Sequence, residues 1–448
     1  MDEFIPEHRP AWPPEAQLQV ETLGPPRHPS PIPSHREIFV EDDERVLLCS
    51  EASELEPFLR GEGTPPSLER AGPRARVFFD PATVGCGILT CGGLCPGLNN
   101  VVRSLVLRLT YAYGVERIIG FRYGYRGLAR PEDLPPVPLT PDVVERLHEH
   151  GGTFLGSSRG PQDPASMVDQ LERLQLGILF VIGGDGGLRG ASALAAEIRR
   201  RGLEIAVVGI PKTIDNDIQW TARSFGFDTA VQAATGVIRN AHVEAQGFYD
   251  GIALVRLMGR QSGFIAAHAT LATSDVNFCL VPEVPFDLEG PGGFLEALEA
   301  RLEARDHAVI VAAEGAGQEL IFPDGTPDHD ASGNVRLGDI GIFLRDRIRA
   351  HLAARGVEAP VRYIDPSYLI RSQPANALDA QLCLVLGQHA VHAAMAGRTN
   401  LFIGIWNQRM THVPIPLGIA ERKRLRPDGD TWQRVLEATG QPDFRRED

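Results

Sequence analysis

The chain has 448 residues, 43% hydrophobic and 23% charged, which suits a globular protein too long for one ordinary core. Its formal net charge of −14 excludes a protein that coats nucleic acid through a basic surface, while local arginines could still hold a small phosphorylated ligand. Six cysteines without paired C-x-x-C spacing, and no apolar run long enough to span a bilayer, point to free thiols in a cytoplasmic protein with no membrane partner.

In chain order, the first 35 or so residues are rich in proline and read as an extended arm unable to hold a helix. Residues 36–80 mix short apolar runs with turns, as a hairpin or cap would. From Val84 onward, buried strands alternate with amphipathic helices. Strands are expected at 87–90, 117–120, 176–182, 205–210, 252–257, 278–281, 308–312 and 401–405, with helices including 99–113, 164–174, 188–200 and 376–395. Such alternation gives mostly parallel sheets, with ligands in the turns beyond the carboxyl ends of strands.

Three glycine turns occupy such places. Gly92-Gly93-Leu94-Cys95-Pro96-Gly97 follows the first strand and opens a helix, where backbone N–H groups can approach an anion. Residues 151–160 add Gly156, Arg159 and Gly160, small residues around one cation suited to a polyphosphate. Gly183-Gly184-Asp185-Gly186-Gly187 sets an acidic residue in a phosphate-type turn, which calls for a divalent cation; Asp185 is therefore the candidate Mg²⁺ ligand, the alternative being a helix cap. Beyond the next strand comes Lys212-Thr213-Ile214-Asp215-Asn216-Asp217. Here one aspartate can take a hydroxyl proton, the other can orient it or link to the metal, and Lys212 faces the transferred group; the alternative is an Asx-rich turn. Met258-Gly259-Arg260, Glu314, Arg362, Tyr368 and Arg371 follow later strands, and together suggest a pocket with two anionic ends and a carboxylate between them.

From about residue 85 to residue 417 the chain resembles the phosphofructokinase superfamily, in the motif order GGLCPGLNN, GGTFLGSSR, GGDGG, PKTIDND, MGR, AEG and YLIR. FRYGYRGL, SFGFDTA and YIDPSYLIR look like the branch with the ATP-dependent enzymes of plants and kinetoplastid protists. The resemblance implies two Rossmann-like three-layer α/β/α domains with mostly parallel sheets and an N-terminal extension over 1–80. Residues 81–226 with about 371–420 would bind nucleotide; residues 227–370 with 421–448 would bind sugar phosphate. It makes Asp215 the base that deprotonates the 1-hydroxyl of fructose 6-phosphate, with Thr213 and Asp217 lining the same site. Asp185 serves Mg²⁺, while Gly92, Gly93, Arg159, Gly184, Gly186 and Gly187 hold the nucleotide phosphates. Met258, Gly259 and Arg260 contact the substrate near the transferred group, Glu314 binds the sugar, and Arg362, Tyr368 and Arg371 match the 6-phosphate end. Some family phosphate ligands come from a neighbouring subunit, so a homo-oligomer, dimer or tetramer, is implied.

One departure is Gly251, where bacterial ATP enzymes carry an arginine; Arg256 is a nearby substitute whose side chain could face the other way. Gly186 leaves room for the rest of ATP, whereas Lys212 matches pyrophosphate-dependent relatives. The plant and protist ATP enzymes carry both features, so ATP is the expected donor and pyrophosphate the alternative. A catalytically silent sugar-phosphate sensor on the same fold and an NAD or lipid kinase are further alternatives, disfavoured by the acidic residues and the sugar-phosphate arginines respectively.

Overall fold

The computed structural model describes residues 12–35, 38–323, 325 and 335–445. Its apolar runs become strands covered on both faces. Along the run beginning at Ile178, Ile178, Phe180 and Ile182 enter one core while Leu179 and Val181 enter another, the alternation expected of a pleated strand.

In chain order the main strands are β1 (Arg45–Leu47), β2 (Ser67–Arg70), β3 (Gly85–Thr90), β4 (Arg117–Phe121), β5 (Val137–Pro138), β6 (Ile178–Gly183) and β7 (Ala206–Pro211). They continue as β8 (Gly251–Leu257), β9 (Phe278–Leu280), β10 (His307–Ala313), β11 (Val361–Ile364), β12 (Leu401–Trp406) and β13 (Arg409–Pro414). The larger sheet has nine strands in the order β1-β2-β13-β12-β7-β6-β3-β4-β5. Its middle, from β12 to β4, is parallel, with Phe180 opposite Val208 on one side and Ile88 on the other. The outer strands run antiparallel. The smaller sheet, β9-β10-β8-β11, is parallel throughout.

Helices cover both faces of each sheet. On the larger sheet, α1 (Leu98–Arg108) packs against α8 (Ala377–Met395), and α2 (Pro164–Arg173) against α3 (Asp185–Arg200). On the smaller, α4 (Phe227–Gln246) and α5 (Phe264–Thr273) lie opposite α6 (Phe294–Arg305) and α7 (Ile340–Ala354). The terminal helix α9 (Asp430–Thr439) packs on α5 and β9. One core runs between the sheets, joining Phe180 and Val208 to Val255 and Val309. This continuity fixes one set of strand ends relative to the other.

All eight expected strands form, with ends shifted by a residue or two. The helix expected over 99–113 is α-helical to Arg108 and finishes as a π-helix over Leu109–Tyr113. The proline-rich arm is mostly extended but does hold one helical turn, Glu15–Leu18, because Pro14 sits at its N-cap, where a missing N–H costs nothing. Its extended parts are tied down: Glu21–Thr22 pairs with Arg398–Thr399, and His28–Pro29 with Arg76–Val77. Within 36–80, β1 and β2 pair antiparallel at the edge of the larger sheet, but the helix Ala52–Leu59 lies between them, so they are not a simple hairpin.

A buried ion cluster secures that edge. Glu69 Oε1 accepts from Arg74 at 2.9 Å, from Arg398 at 2.9 Å and from His412 Nδ1 at 3.1 Å. Burial opposes ionisation of Glu69, but the hydrogen bond from His412 and the nearby Arg398 guanidinium hold its carboxyl well below the usual range. Burial lowers the His412 pKa against the raising pull of Glu69, which accepts from its Nδ1.

Candidate active site

The parallel strands deliver their carboxyl ends to one edge, and the predicted turns meet there. After β3 the chain turns through Gly92, with φ at +83°, and Gly97, with φ at +101°, before α1 begins. A Cβ at Gly97 would stand 2.5 Å from Cys383 Sγ, so the turn requires glycine in both conformation and space. The 151–160 loop is braced against it: Ser157 Oγ donates to the Gly92 carbonyl and Thr90 Oγ1 to the Gly156 carbonyl, each at 2.6 Å. Between them lies an open cleft of about 530 Å³ lined by Gly92, Gly93, Gly152, Ser158, Arg159 and Arg371.

Asp185 is the first residue of α3. The N-cap is Gly184, without a side-chain bond, so Asp185 does not cap the helix. Its carboxylate lies 3.1 Å from Arg189 and 3.5 Å from Arg422. One half-buried carboxylate beside a glycine-lined cleft suits Mg²⁺, which keeps water and substrate-phosphate ligands. Gly186 is exposed, and a Cβ there would meet nothing within 4 Å. Gly187 packs inward, with its virtual Cβ 3.2 Å from Cys91.

The segment beyond β7 folds back on itself. Thr213 Oγ1 donates to Asp217 Oδ1 at 2.8 Å and accepts from the Asp215 amide at 3.1 Å. Asn216 takes a left-handed φ of +52°, and its side chain bonds Ser224 and Ala222. Arg422 donates to Asp217 Oδ2 at 2.9 Å. Asp215 Oδ1 is shut off from solvent and has no hydrogen-bond partner among the described residues. Burial, with Asp217 and Glu314 close by, raises the Asp215 carboxyl to about 8, against the opposing pull of Lys212 and Arg422. Lys212 is itself buried, which lowers its ammonium pKa, and its Nζ donates to the Gly93 carbonyl at 2.8 Å. It therefore pins the first glycine turn instead of extending into the cleft.

On the smaller sheet the β8–β10 pairing continues past the strand ends. Glu314 N donates to the Leu257 carbonyl at 2.8 Å and Gly315 N to the Gly259 carbonyl at 3.1 Å. Met258-Gly259-Arg260 and Glu314 are thereby held side by side. A Cβ at Gly315 would stand 2.0 Å from the Arg260 carbonyl oxygen, so glycine permits this approach. Met258 packs on the shared core, while Arg260 donates to the Val335 carbonyl. Ser262 Oγ donates to the Asp215 carbonyl at 3.0 Å, joining this turn to the acidic segment. Burial raises the Glu314 carboxyl, opposed by Arg256, Arg260 and Arg371.

Arg371 reaches the cleft: a Cβ at Gly93 would lie 3.4 Å from its NH1, and its guanidinium carbon sits 5.0 Å from the exposed Tyr368 ring. Arg362 stands apart. It pairs with Glu244 at 3.4 Å and lies over Phe248, on the side of its strand away from Glu314. Gly251 has no room for a side chain, since a Cβ would stand 2.1 Å from the Ala245 carbonyl oxygen. Arg256 faces the site, bonded to Asp365 and 4.0 Å from Glu314.

Arg422 is the residue that the motifs missed. Its signal was the run Arg422-Lys423-Arg424-Leu425-Arg426, conspicuous in an acidic chain. The arrangement as a whole sets a glycine-lined cleft and an acidic turn beside an enclosed carboxyl, with Arg256, Arg260 and Glu314 beyond.

Residues 85–394 match the family described as Phosphofructokinase. The chain belongs to the phosphofructokinase family. It is 50% identical over 436 residues to a protein of Amycolatopsis methanolica named ATP-dependent 6-phosphofructokinase, covering 95% of each. A protein of the same name from Borreliella burgdorferi is 49% identical, with 84% of this chain and 85% of that one covered. One from Trypanosoma cruzi is 44% identical, with 95% and 88% covered. The fold resembles a pyrophosphate-dependent phosphofructokinase from Marinobacter aquaeolei, with a TM-score of 0.66 at 21% identity, covering 82% of this chain and 93% of that one.

Proposed function

We infer that this protein is a 6-phosphofructokinase, transferring the γ-phosphoryl group of ATP to the 1-hydroxyl of fructose 6-phosphate to give ADP and fructose 1,6-bisphosphate. The observation that carries this reading is the 50% identity, over 95% of both chains, to a protein named for that activity. The geometry supplies the parts. The braced turns at Gly92, Gly93 and Gly156 present backbone to the donor phosphates, with Arg159 and Arg371 at the rim. The exposed Gly186 leaves space for the nucleotide beside them, and Gly184 and Gly187 shape the turn that carries it. Asp185 holds Mg²⁺, which when bound offsets the charge of the polyphosphate.

Asp215, whose carboxyl keeps an oxygen without a hydrogen-bond partner among the described residues, takes the hydroxyl proton as the acceptor oxygen attacks. Thr213 and Asp217 hold the loop that carries it. Arg260, released from the Val335 carbonyl, meets the transferred group, and Glu314 accepts from sugar hydroxyls. Arg371, which lines the cleft and also opposes the rise of Glu314, stands between the donor and sugar ends, with Tyr368 beside it. Arg362, turned to an exposed corner with Val243, Phe248 and Tyr249, is placed to serve a neighbouring copy in a homo-oligomer. The donor half is assigned to 81–226 with 371–420, and the sugar half to 227–370 with 421–448. Among the described residues no helix is long and apolar enough to cross a membrane.

Two observations favour ATP over pyrophosphate. Open space at Gly186 leaves room for the α-phosphate and nucleoside, and Lys212 is committed to Gly93. The test is the rate of product formation from fructose 6-phosphate and Mg²⁺ with ATP against inorganic pyrophosphate. ADP formation at the faster rate is expected; a much faster pyrophosphate reaction overturns the reading.

A further inference from the structure

Arg422 lies beyond the residues matched by the family, yet it touches both acidic turns. The two contacts differ. Its NH1 donates to Asp217 Oδ2 at 2.9 Å, an ordinary charge-assisted hydrogen bond. Its NH2 stands 3.5 Å from Asp185 Oδ2, longer than such a bond. Asp217 is also gripped on its other oxygen by Thr213, whereas Asp185 keeps a more exposed carboxylate shared with Arg189.

The backbone around Arg422 is fastened independently of that side chain. Ile218 and Arg422 form an antiparallel bridge, and the Lys423 amide donates to the Asp217 carbonyl at 3.0 Å. Lys423 Nζ donates to the carbonyls of Thr221 and Ala222 at 3.0 and 3.1 Å. Glu283 Oε1 then accepts from both Leu425 N at 2.9 Å and Gly263 N at 3.0 Å. This strap runs under the 217–222 loop and on to α9 against the smaller sheet. Only the guanidinium is left to choose between partners.

We propose that Arg422 is a positioning residue: it holds Asp217 beside Asp215 throughout the reaction and yields Asp185 to the cation that enters with the donor. The proposal rests on the phosphofructokinase reading above. Three carboxylates, Asp185, Asp215 and Asp217, converge here, and a nearby guanidinium offsets their repulsion before a cation arrives. Giving up the longer contact loses little, while the shorter one keeps the surroundings of the base unchanged.

The experiment compares full-length wild type with Arg422→Met, Arg422→Lys and Lys423→Met. Wild type must first form ADP from ATP and fructose 6-phosphate; failure there defeats the functional reading and not the role of Arg422. For Arg422→Met, kcat should fall about 10- to 100-fold, the usual effect of losing a hydrogen bond to a charged group. KM for fructose 6-phosphate should stay within about twofold, as expected for a residue that does not touch substrate. Mn²⁺ bound with a non-hydrolysable ATP analogue, read by Mn²⁺ EPR, should dissociate no more readily than from wild type. Arg422→Lys should recover part of kcat, and Lys423→Met should lower the thermal midpoint with Mn²⁺ binding unchanged.

An unchanged kcat in Arg422→Met overturns the proposal. So does clearly weakened Mn²⁺–analogue binding, which would make Arg422 a donor-phosphate ligand. Loss of thermal stability matching Lys423→Met, without rescue by lysine, would reduce Arg422 to a strap anchor and also overturn it. If Arg422→Met does not fold, Arg422→Lys is judged on the same kinetic and Mn²⁺ readouts, where a wild-type kcat with weakened Mn²⁺ binding counts against the proposal.

Discussion

Glu69, at the sheet edge, and Asp215, at the strand ends, are both carboxyl groups largely withdrawn from water, and burial pushes both toward the neutral form. Around Glu69, Arg74, Arg398 and His412 all donate, and the group stays ionised far into acid. Around Asp215 the nearest charges include Asp217 and Glu314, one oxygen has no partner among the described residues, and the carboxyl rises to about 8. The difference separates two uses of buried charge. A satisfied carboxylate joins pieces of a fold, and an unsatisfied one is kept ready for a proton.

Breaking each site should therefore give opposite results. The largest effect is expected from Asp215→Ser, which should lower kcat by about 10²- to 10⁴-fold, the range for a lost general base. Its thermal midpoint should not fall, because no native hydrogen bond to that carboxyl oxygen is lost. Near-normal turnover would remove Asp215 as the base. Glu69→Ala should reverse the pattern, costing about 1–3 kcal/mol in denaturant unfolding because Arg74, Arg398 and His412 lose a shared buried acceptor while both arginines keep Asp42, with kcat nearly unchanged.

Adding a carboxylate without a partner sharpens the contrast. Gly186→Asp should raise KM for ATP about tenfold or more, since like charges placed together cost several kcal/mol. Steady-state titration of ATP reads this, and an unchanged KM would remove the argument from open space.

The pH dependence also divides. Asp215 must be ionised to accept a proton, so kcat/KM of the wild type should fall about tenfold per unit as pH drops below about 8. Its raised folded pKa favours folding below the ordinary aspartate value, an advantage lost as pH rises through about 8. Glu69 has the opposite sign: its depressed pKa contributes stability above the ordinary glutamate range, lost as pH falls through the folded value. Unfolding measured from pH 6 to 9 should thus change through Asp215 and not Glu69; Asp215→Asn should reduce that change and leave the part due to Glu283, whose buried carboxyl rises to about 7. The smallest effect is expected from Arg146→Ala, which removes an exposed pair with Glu149 and should leave kcat and the thermal midpoint unaltered.

The fold was legible where strands were continuous apolar runs, since β6 and β7 are buried on both faces. It was obscure where polar residues interrupt a buried strand, as in Arg409–Pro414, whose buried His412 reads as polar until Glu69 is brought to it. The short Val361–Ile364, hemmed by Pro360 and Asp365, failed for the same reason. In the site, the glycine turns and acidic motifs stand beyond strand ends as expected, because such motifs are local to a turn. The direction of Lys212 toward Gly93, the separation of Arg362 and the reach of Arg422 depend on packing between distant segments, which motif spacing does not encode.

Glu69 and His412 lie 343 positions apart, so the ion cluster also has a history in time. A ribosome adding about 5–20 residues per second leaves Glu69 without His412 for roughly 15–70 seconds. During that interval β2 is a strand with no β13 to pair with, and the larger sheet has an unfinished border. Closure of that sheet is therefore among the last events in the protein's birth, and the newborn chain must be kept from pairing with its neighbours until it occurs.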